Sequence, residues 1–340
     1  MCASSSFVMQ IANISIEVCG YQDEESVCLE GLKRIFCHHE VRGSVNAEHR
    51  IIVCNPERYK LPDEASLQWI APCLGVAGLV PQHRSFLARL WSRLFSRNRE
   101  IALYSGTCNV RCYSDPLHHV SYYIPEYGRW RVAHHPEEHI TYVYADEHID
   151  SADGLPSMLV NVIGSQYGCY LIFASCVSVD GGALLLTGNS GVGKSTLCRE
   201  LVRQGASYMG DDLALLYMDA GQAMAGSLLF PLKYYADEDQ MHKQKMDMAS
   251  TSSQRPPLIA PLKGVYILHR ENHPVAAPTL QSIQRGAMLE KLLKRTNKAN
   301  THADARHFVT TLSSICETVP CYDLCYGNGS CITPSFLRQP

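Results

Sequence analysis

The chain has no unbroken apolar run of about 18 residues, the length a helix needs to cross a bilayer. Its longest apolar stretch, WIAPCLGVAGLV (Trp69–Val80), is shorter and is interrupted by a proline. The start, MCASSSFVMQIANISIEV, lacks the basic segment that precedes the apolar core of a secretion signal, so the expectation is a cytoplasmic protein with no membrane span. An excess of basic charge is also missing. Thirty Lys and Arg face 33 Asp and Glu, a net charge of −3, which excludes a global pull toward nucleic acid or anionic lipid. None of the 15 cysteines forms a CxxC pair. The densest group, Cys316, Cys321, Cys325 and Cys331, has no familiar zinc spacing, and reduced, mostly buried thiols are expected. HHPEEH (His134–His139) lacks the HExxH order of a helical zinc site and carries Pro136, so a solvated turn is expected. Internal repeats and low-complexity segments are absent.

What remains is a globular composition, 46% hydrophobic and 19% charged, in 340 residues, enough for two domains. The first half is strand-rich. FVMQIANISIEVCG (Phe7–Gly20), RIIVCN (Arg50–Asn55), EIALYSG (Glu100–Gly106), HHVSYYIP (His118–Pro125) and HITYVYA (His139–Ala145) are rich in the Val, Ile, Thr and Tyr that favour strands. Glu25–Phe36 reads as a helix. RSFLARLWSRLFSRNR (Arg84–Arg99) carries an apolar stripe with arginines elsewhere. It reads as an amphipathic helix packed on a core, the alternative being a docking helix for a membrane surface or an acidic partner. A boundary is expected within Asp146–Ser157. The organisation is thus a β-rich domain over 1–150, a possible acceptor-recognition element, followed by a second domain over 155–335, in a mixed α/β (α+β) fold.

The second half carries the chemistry. Ser157–Val179 predicts a helix and then a strand. Asp180-Gly181-Gly182 predicts a turn, and ALLLT (Ala183–Thr187) a strand running into GNSGVGKS. Gly188, Gly193, Lys194 and Ser195 satisfy G-x-x-x-x-G-K-[ST]. Glycines let the loop curl so that backbone N–H groups of Gly188, Asn189, Ser190, Gly191, Val192, Gly193, Lys194, Ser195 and Thr196 can face phosphate oxygens. The helix that follows, with Leu197, Leu201 and Val202 on one face and Gly205 past its end, presents its positive N-terminus to the same oxygens. Lys194 would reach the β and γ phosphates of a nucleotide, and Ser195 would ligate Mg²⁺. Asp211 and Asp212 follow one helix and one short strand later. That strand is expected beside Ala183–Thr187, which would bring the carboxylates near the loop. A carboxylate there can take the proton of an acceptor hydroxyl.

ALLLTGNSGVGKSTLCRELVRQGASYMGDDLALL resembles the core of bacterial HPr kinase/phosphorylase and its divergent relatives, which share a GxSGxGKS loop and an Asp-Asp pair at this distance. The resemblance spans roughly Leu171 to Tyr326. It implies a P-loop kinase domain related to phosphoenolpyruvate carboxykinase, using ATP and Mg²⁺. Asp211 would be the base, Lys194 the contact to the transferring phosphate, and Ser195 and Asp212 the metal side. PLKGVYILHR (Pro261–Arg270) and VPCYDLCYG (Val319–Gly327) are similar to later core strands of the relatives, and Lys233 in FPLKYY falls where they place a basic strand. The resemblance also suggests a homo-oligomer. Two features depart from it. Phe173 stands where HPr kinase has a histidine, and the downstream R-G-x-G signature is missing. The expected activity is therefore transfer of the γ-phosphate to a hydroxyl, serine of a peptide or small protein rather than HPr. The alternatives are a kinase of a free serine-like metabolite and a nucleotide-binding switch or scaffold without transfer.

Overall fold

The computed structural model describes residues 6–21, 26–41, 45–56, 68–69, 101–102, 109–115, 119–125, 130–145, 149, 154–230, 232–234, 244–246, 256–271, 277–296, 302–327 and 330–338. The stretch 84–99 and most of 146–157 lie outside them. The chain divides into two compact units: Met1–Tyr167 with Asn297–His307, and Gly168–Thr296 with Phe308–Pro340. The fold is mixed α/β, with many strands and few helices among the described residues.

The first unit holds a sheet of nine strands: β1 (Phe7–Ile11), β2 (Ile14–Gly20), β3 (His49–Cys54), β4 (Gln68–Trp69), β5 (Ile101–Ala102), β6 (Asn109–Asp115), β7 (Val120–Pro125), β8 (Arg131–His135) and β9 (Ile140–Tyr144). The order is β1-β2-β3-β9-β8-β7-β6-β4, with β5 also on β6. β3 runs parallel to both β2 and β9. Phe7–Gly20 is thus a hairpin, closed at Ala12-Asn13. α1 (Val27–Ile35) begins where Ser26 Oγ accepts from the Leu29 N–H, an N-cap that satisfies one of the helix's orphan donors. α2 (Leu155–Gln166) also belongs to this unit, and nearly every one of its residues is buried.

HHPEEH contains the expected turn, Pro136–His139, with Glu137 and Glu138 exposed. Its first histidine is not solvated. His134 is 5% exposed, lies on β8 and stacks on His49 of β3 with ring centroids 5.7 Å apart. Both rings bond one hydroxyl, Thr141 Oγ1 on β9, at 2.9 Å and 2.8 Å. The hydroxyl has one proton and two lone pairs, so at most one ring accepts from it and at least one donates to it. The period-2 alternation of β8 turns His134 inward with Val132, which the turn residues beside it concealed.

The second unit is built on β10 (Tyr170–Val179), β11 (Gly182–Thr187), β12 (Ser207–Gly210), β13 (Leu213–Asp219), β14 (Gln222–Gly226), β15 (Leu232–Tyr234), β16 (Gln244–Met246), β17 (Ile259–Arg270), β18 (Thr279–Ser282) and β19 (Cys321–Tyr326), with α3 (Lys194–Arg203), α4 (Arg285–Leu293) and α6 (Pro334–Leu337). α5 (His302–Thr318) continues from the first unit into this one. β10 and β11 form the expected hairpin. Asp180 (φ 49°) and Gly181 (φ 75°) both take left-handed backbone, the turn whose twist matches paired strands. β11, β10, β13, β14 and β17 pair in succession, and β17 pairs back to β11 in parallel, so five strands close into a ring. β19 extends the sheet from the other edge of β17, also in parallel.

One face of this sheet is covered by α3. Leu197, Cys198 and Leu201 bury against Val177, Leu184, Leu186, Tyr266, Leu268 and Leu324. Each such side chain contributes roughly 1.5–3 kcal/mol by leaving water, before entropy is counted against it. Val202, expected on this face, packs at its margin, and Cys198 takes the central place. On α5, Phe308, Leu312 and Ile315 are fully buried, with Phe308 edge-on to Tyr170 at 4.9 Å. Seven of the described cysteines are buried, including Cys316 and Cys321, while Cys331 is exposed.

The histidine pair makes the first unit acid-sensitive. Burial, reinforced by the neighbouring histidines, lowers both His49 and His134 from 6.5 to about 3. The unfolded chain takes up their protons near pH 6.5 and the folded chain only near 3, so stability is lost as pH falls through that window. All three tryptophans (Trp69, Trp91, Trp130) lie in this unit, so their fluorescence reports it selectively. The urea midpoint by tryptophan emission should fall between pH 6.5 and 4, and the slope should flatten in His49→Gln/His134→Gln. An unchanged slope in that double variant would remove the pair as the cause.

Candidate functional site

β10 organises the site. Along one edge it pairs with β11, Ala174 opposite Thr187 and Ser175 opposite Leu186. Along its other edge it pairs first with β13, Phe173 opposite Leu213, and then with β12, Cys176 opposite Gly210. Asp211 and Asp212 are the two residues between β12 and β13, so they lie alongside Ala174 and Ser175. The expected pairing of β11 with the strand before the aspartates is therefore corrected: β10 lies between them. Two strand spacings separate β11 from β12, roughly 10 Å. Side chains close that gap.

Asp211 is 3% exposed. Ser175 Oγ donates to its Oδ1 at 2.5 Å. Its Oδ2 is buried and has no hydrogen-bond partner among the described residues. Burial raises its pKa above the ordinary carboxylate value, and the neighbouring Asp212 charge raises it further. The Ser175 and Ser195 hydroxyls and the Asp212 N–H oppose the shift. The influence of Ser195 places the first turn of α3 beside this carboxylate. Asp212 is half-buried, with φ 65°, left-handed backbone that non-glycine residues adopt at a cost. Its N–H and carbonyl tie it locally: the carbonyl accepts from the Ala174 N–H at 3.1 Å.

The loop Gly188–Gly193 joins β11 to α3. Asn189, Ser190, Gly191 and Thr196 are exposed, Val192, Gly193 and Ser195 are half-buried, and Lys194 is 5% exposed. Lys194 Nζ donates to the Gly188 carbonyl at 3.2 Å and the Asn189 carbonyl at 3.0 Å. It also lies 4.2 Å from the centre of the Phe173 ring, a cation–π contact. No side chain caps α3, so its first N–H groups keep their positive end toward the loop.

Gly193 takes φ 100°, and a Cβ there would come 2.7 Å from the Tyr326 hydroxyl. That hydroxyl donates to the Val192 carbonyl at 2.6 Å. Tyr326 ends β19, two strands from β11 across β17. Burial raises its pKa to about 12, and the nearby Arg270 charge partly opposes this.

The structure thus brings Ser195 beside Asp211, while Lys194 turns to the Gly188 and Asn189 carbonyls and the Phe173 ring. Phe173, read from the sequence only as a departure, forms the wall against the lysine. Ser175 and Tyr326 were not picked out as site residues. A polar residue on the buried face of β10, two positions after Phe173, was the available signal for Ser175. Tyr326 had no local signal, because its partner is 134 residues away. Lys233 lies on β15 opposite Lys245 of β16. On α4, Lys291 bonds Asp323 of β19 at 2.7 Å, and His269 of β17 bonds the same oxygen at 2.6 Å, tying that helix to the sheet. Among the described residues no helix is long and apolar enough to cross a membrane.

No protein-family model matches the chain, and no curated protein matches it. Among solved structures it is similar to the Hpr(Ser) kinase/phosphatase from Coxiella burnetii, at 12% identity, over 47% of this chain and 86% of that one, with a TM-score of 0.28.

Proposed function

We propose that this chain is an ATP-dependent phosphotransferase that moves the γ-phosphoryl group to a hydroxyl, serine of a peptide or small protein. One observation carries the reading: a buried carboxylate, Asp211, has one oxygen without a hydrogen-bond partner among the described residues and sits beside the hydroxyl of Ser195, the residue that follows Lys194 at the start of α3. A buried polar atom left unbonded costs free energy unless something binds it. A metal-bound water, a divalent cation or an acceptor hydroxyl would each satisfy Oδ2.

Gly188–Thr196 would hold the nucleotide phosphates with backbone N–H groups. Lys194 donates to two neutral carbonyls in the structure, and anionic phosphate oxygens would replace them as acceptors, adding the attraction of opposite charges. The Ser195 hydroxyl and the Asp212 carboxylate are hard oxygen donors that fit Mg²⁺. When bound there, the ion would neutralise charge on the phosphates. Asp211 would take the acceptor's proton. Its raised pKa suits a base that must both accept a proton and hand it on. Ser175 would fix the carboxylate's orientation through Oδ1, leaving Oδ2 for the proton. The first unit, with its large sheet, would present the acceptor.

A nucleotide-binding switch without transfer is the second reading. The packing of Phe173 on Lys194 favours it, since a ring at that wall can move no proton. A free serine-like metabolite as acceptor is separated from a peptide only by trial of acceptors.

ADP release should rise when serine-bearing peptides or free serine are added. A protein that binds ATP yet releases ADP at the same negligible rate with every acceptor would support the switch instead. Asp211→Asn should lower turnover by roughly 100-fold or more while nucleotide affinity changes little. Unchanged turnover in that variant would reject Asp211 as the base.

The same substitution should raise thermal stability at neutral pH. The folded chain favours protonated Asp211, so the ionised carboxylate opposes folding above its raised pKa, and asparagine removes that cost. A melting temperature that falls in Asp211→Asn would contradict the assigned direction. In the wild type, turnover should decline as pH drops, with an inflection above the usual Asp range near 3.9.

A further inference from the structure

We infer that Tyr326 is a positioning residue for the phosphate loop: from the end of β19 it sets the direction of the Gly193 N–H that meets the nucleotide. The inference rests on the nucleotide reading of the loop.

The argument starts at one peptide plane. Tyr326 Oη holds the Val192 carbonyl at 2.6 Å. In a trans peptide the C=O of one residue and the N–H of the next point in opposite directions, and no cis bond occurs among the described residues. Fixing the Val192 carbonyl toward Tyr326 therefore turns the Gly193 N–H away from Tyr326. No described backbone carbonyl accepts from that N–H. Without the phenol, the Val192–Gly193 plane has no side-chain anchor and can rotate, exchanging a donor for a carbonyl oxygen where an anion would lie.

Two further contacts show that the fit is tight. The Gly193 α-carbon approaches the phenol so closely that a Cβ would be 2.7 Å from Oη, a separation that side-chain carbons do not tolerate. The phenol is itself immobilised: Tyr326 is 9% exposed, and its carbonyl accepts from the Glu271 N–H at 2.8 Å, just past the end of β17. The loop is thus braced from the parallel part of the sheet, on the side opposite Phe173. Arg270, whose charge acts on the same phenol, stands on the neighbouring strand in register with Tyr326.

The test measures MgADP and tripolyphosphate binding by calorimetry in wild type and Tyr326→Phe. Phenylalanine keeps the ring and its packing, and the melting temperature checks that it does. Affinity for ADP should fall about 10-fold, the order expected from one misdirected donor. Tripolyphosphate, which has no base or sugar, should lose the same factor, a match that general loosening of the fold would not produce. Gly193→Ala should bind more weakly still, and adding Tyr326→Phe to it should recover part of the loss, because the hydroxyl that the new methyl meets is gone. Equal affinity in wild type and Tyr326→Phe, or strictly additive losses in the double variant, would overturn the inference. A wild type that binds neither ligand would instead overturn the nucleotide reading itself.

Discussion

A single strand, β10, stands between the glycine loop and the aspartate pair, and its side chains touch both. Its register decides which residues can do so. Ala174 faces Thr187 across one edge, so Phe173 comes level with the start of the loop and reaches Lys194. Ser175 lies beside the break between β12 and β13, and reaches Asp211. A slip of one residue would turn both side chains to the other face of the sheet. The dense packing of Val177, Leu184 and Leu186 under α3 fixes that register, so the hydrophobic core and the chemistry share one constraint.

The energetics of the site run against stability. A carboxylate is buried with one oxygen lacking a hydrogen-bond partner among the described residues, and Asp212 takes left-handed backbone. Each arrangement costs free energy in isolation. Such costs persist where the surrounding fold over-determines the geometry, and here the closed ring of five strands and the α3 core do so. The loop is braced at Val192 by Tyr326 and walled at Phe173, and a loop held in one conformation has less ordering cost to meet when a ligand binds.

Much of this was legible in the sequence for local reasons. The hairpin into the loop, the helix after it and the spacing of the aspartates are written in short-range patterns: turn residues, a 3.6-residue apolar period and a glycine at the helix end. The strands of the first unit were legible in the same way, through Val, Ile, Thr and Tyr. What could not be read depends on pairings distant in the chain. The insertion of β10 between β11 and β12, the return of β17 to β11 and the reach of Tyr326 to Val192 all join segments that share no local pattern. His134 was misread because the polar turn beside it outweighed the alternation of a short strand.

The central claim is that the loop and Asp211 serve one reacting phosphate. A crystal structure with Mg²⁺ and a non-hydrolysable ATP analogue tests it most directly. The account predicts the terminal phosphate held by Lys194, with Asp211 Oδ2 aimed at the place of an incoming hydroxyl, about 3 Å from it. A terminal phosphate that sits on the far side of the loop, with the Asp211 carboxylate still enclosed and touching neither metal, water nor acceptor position, would contradict it.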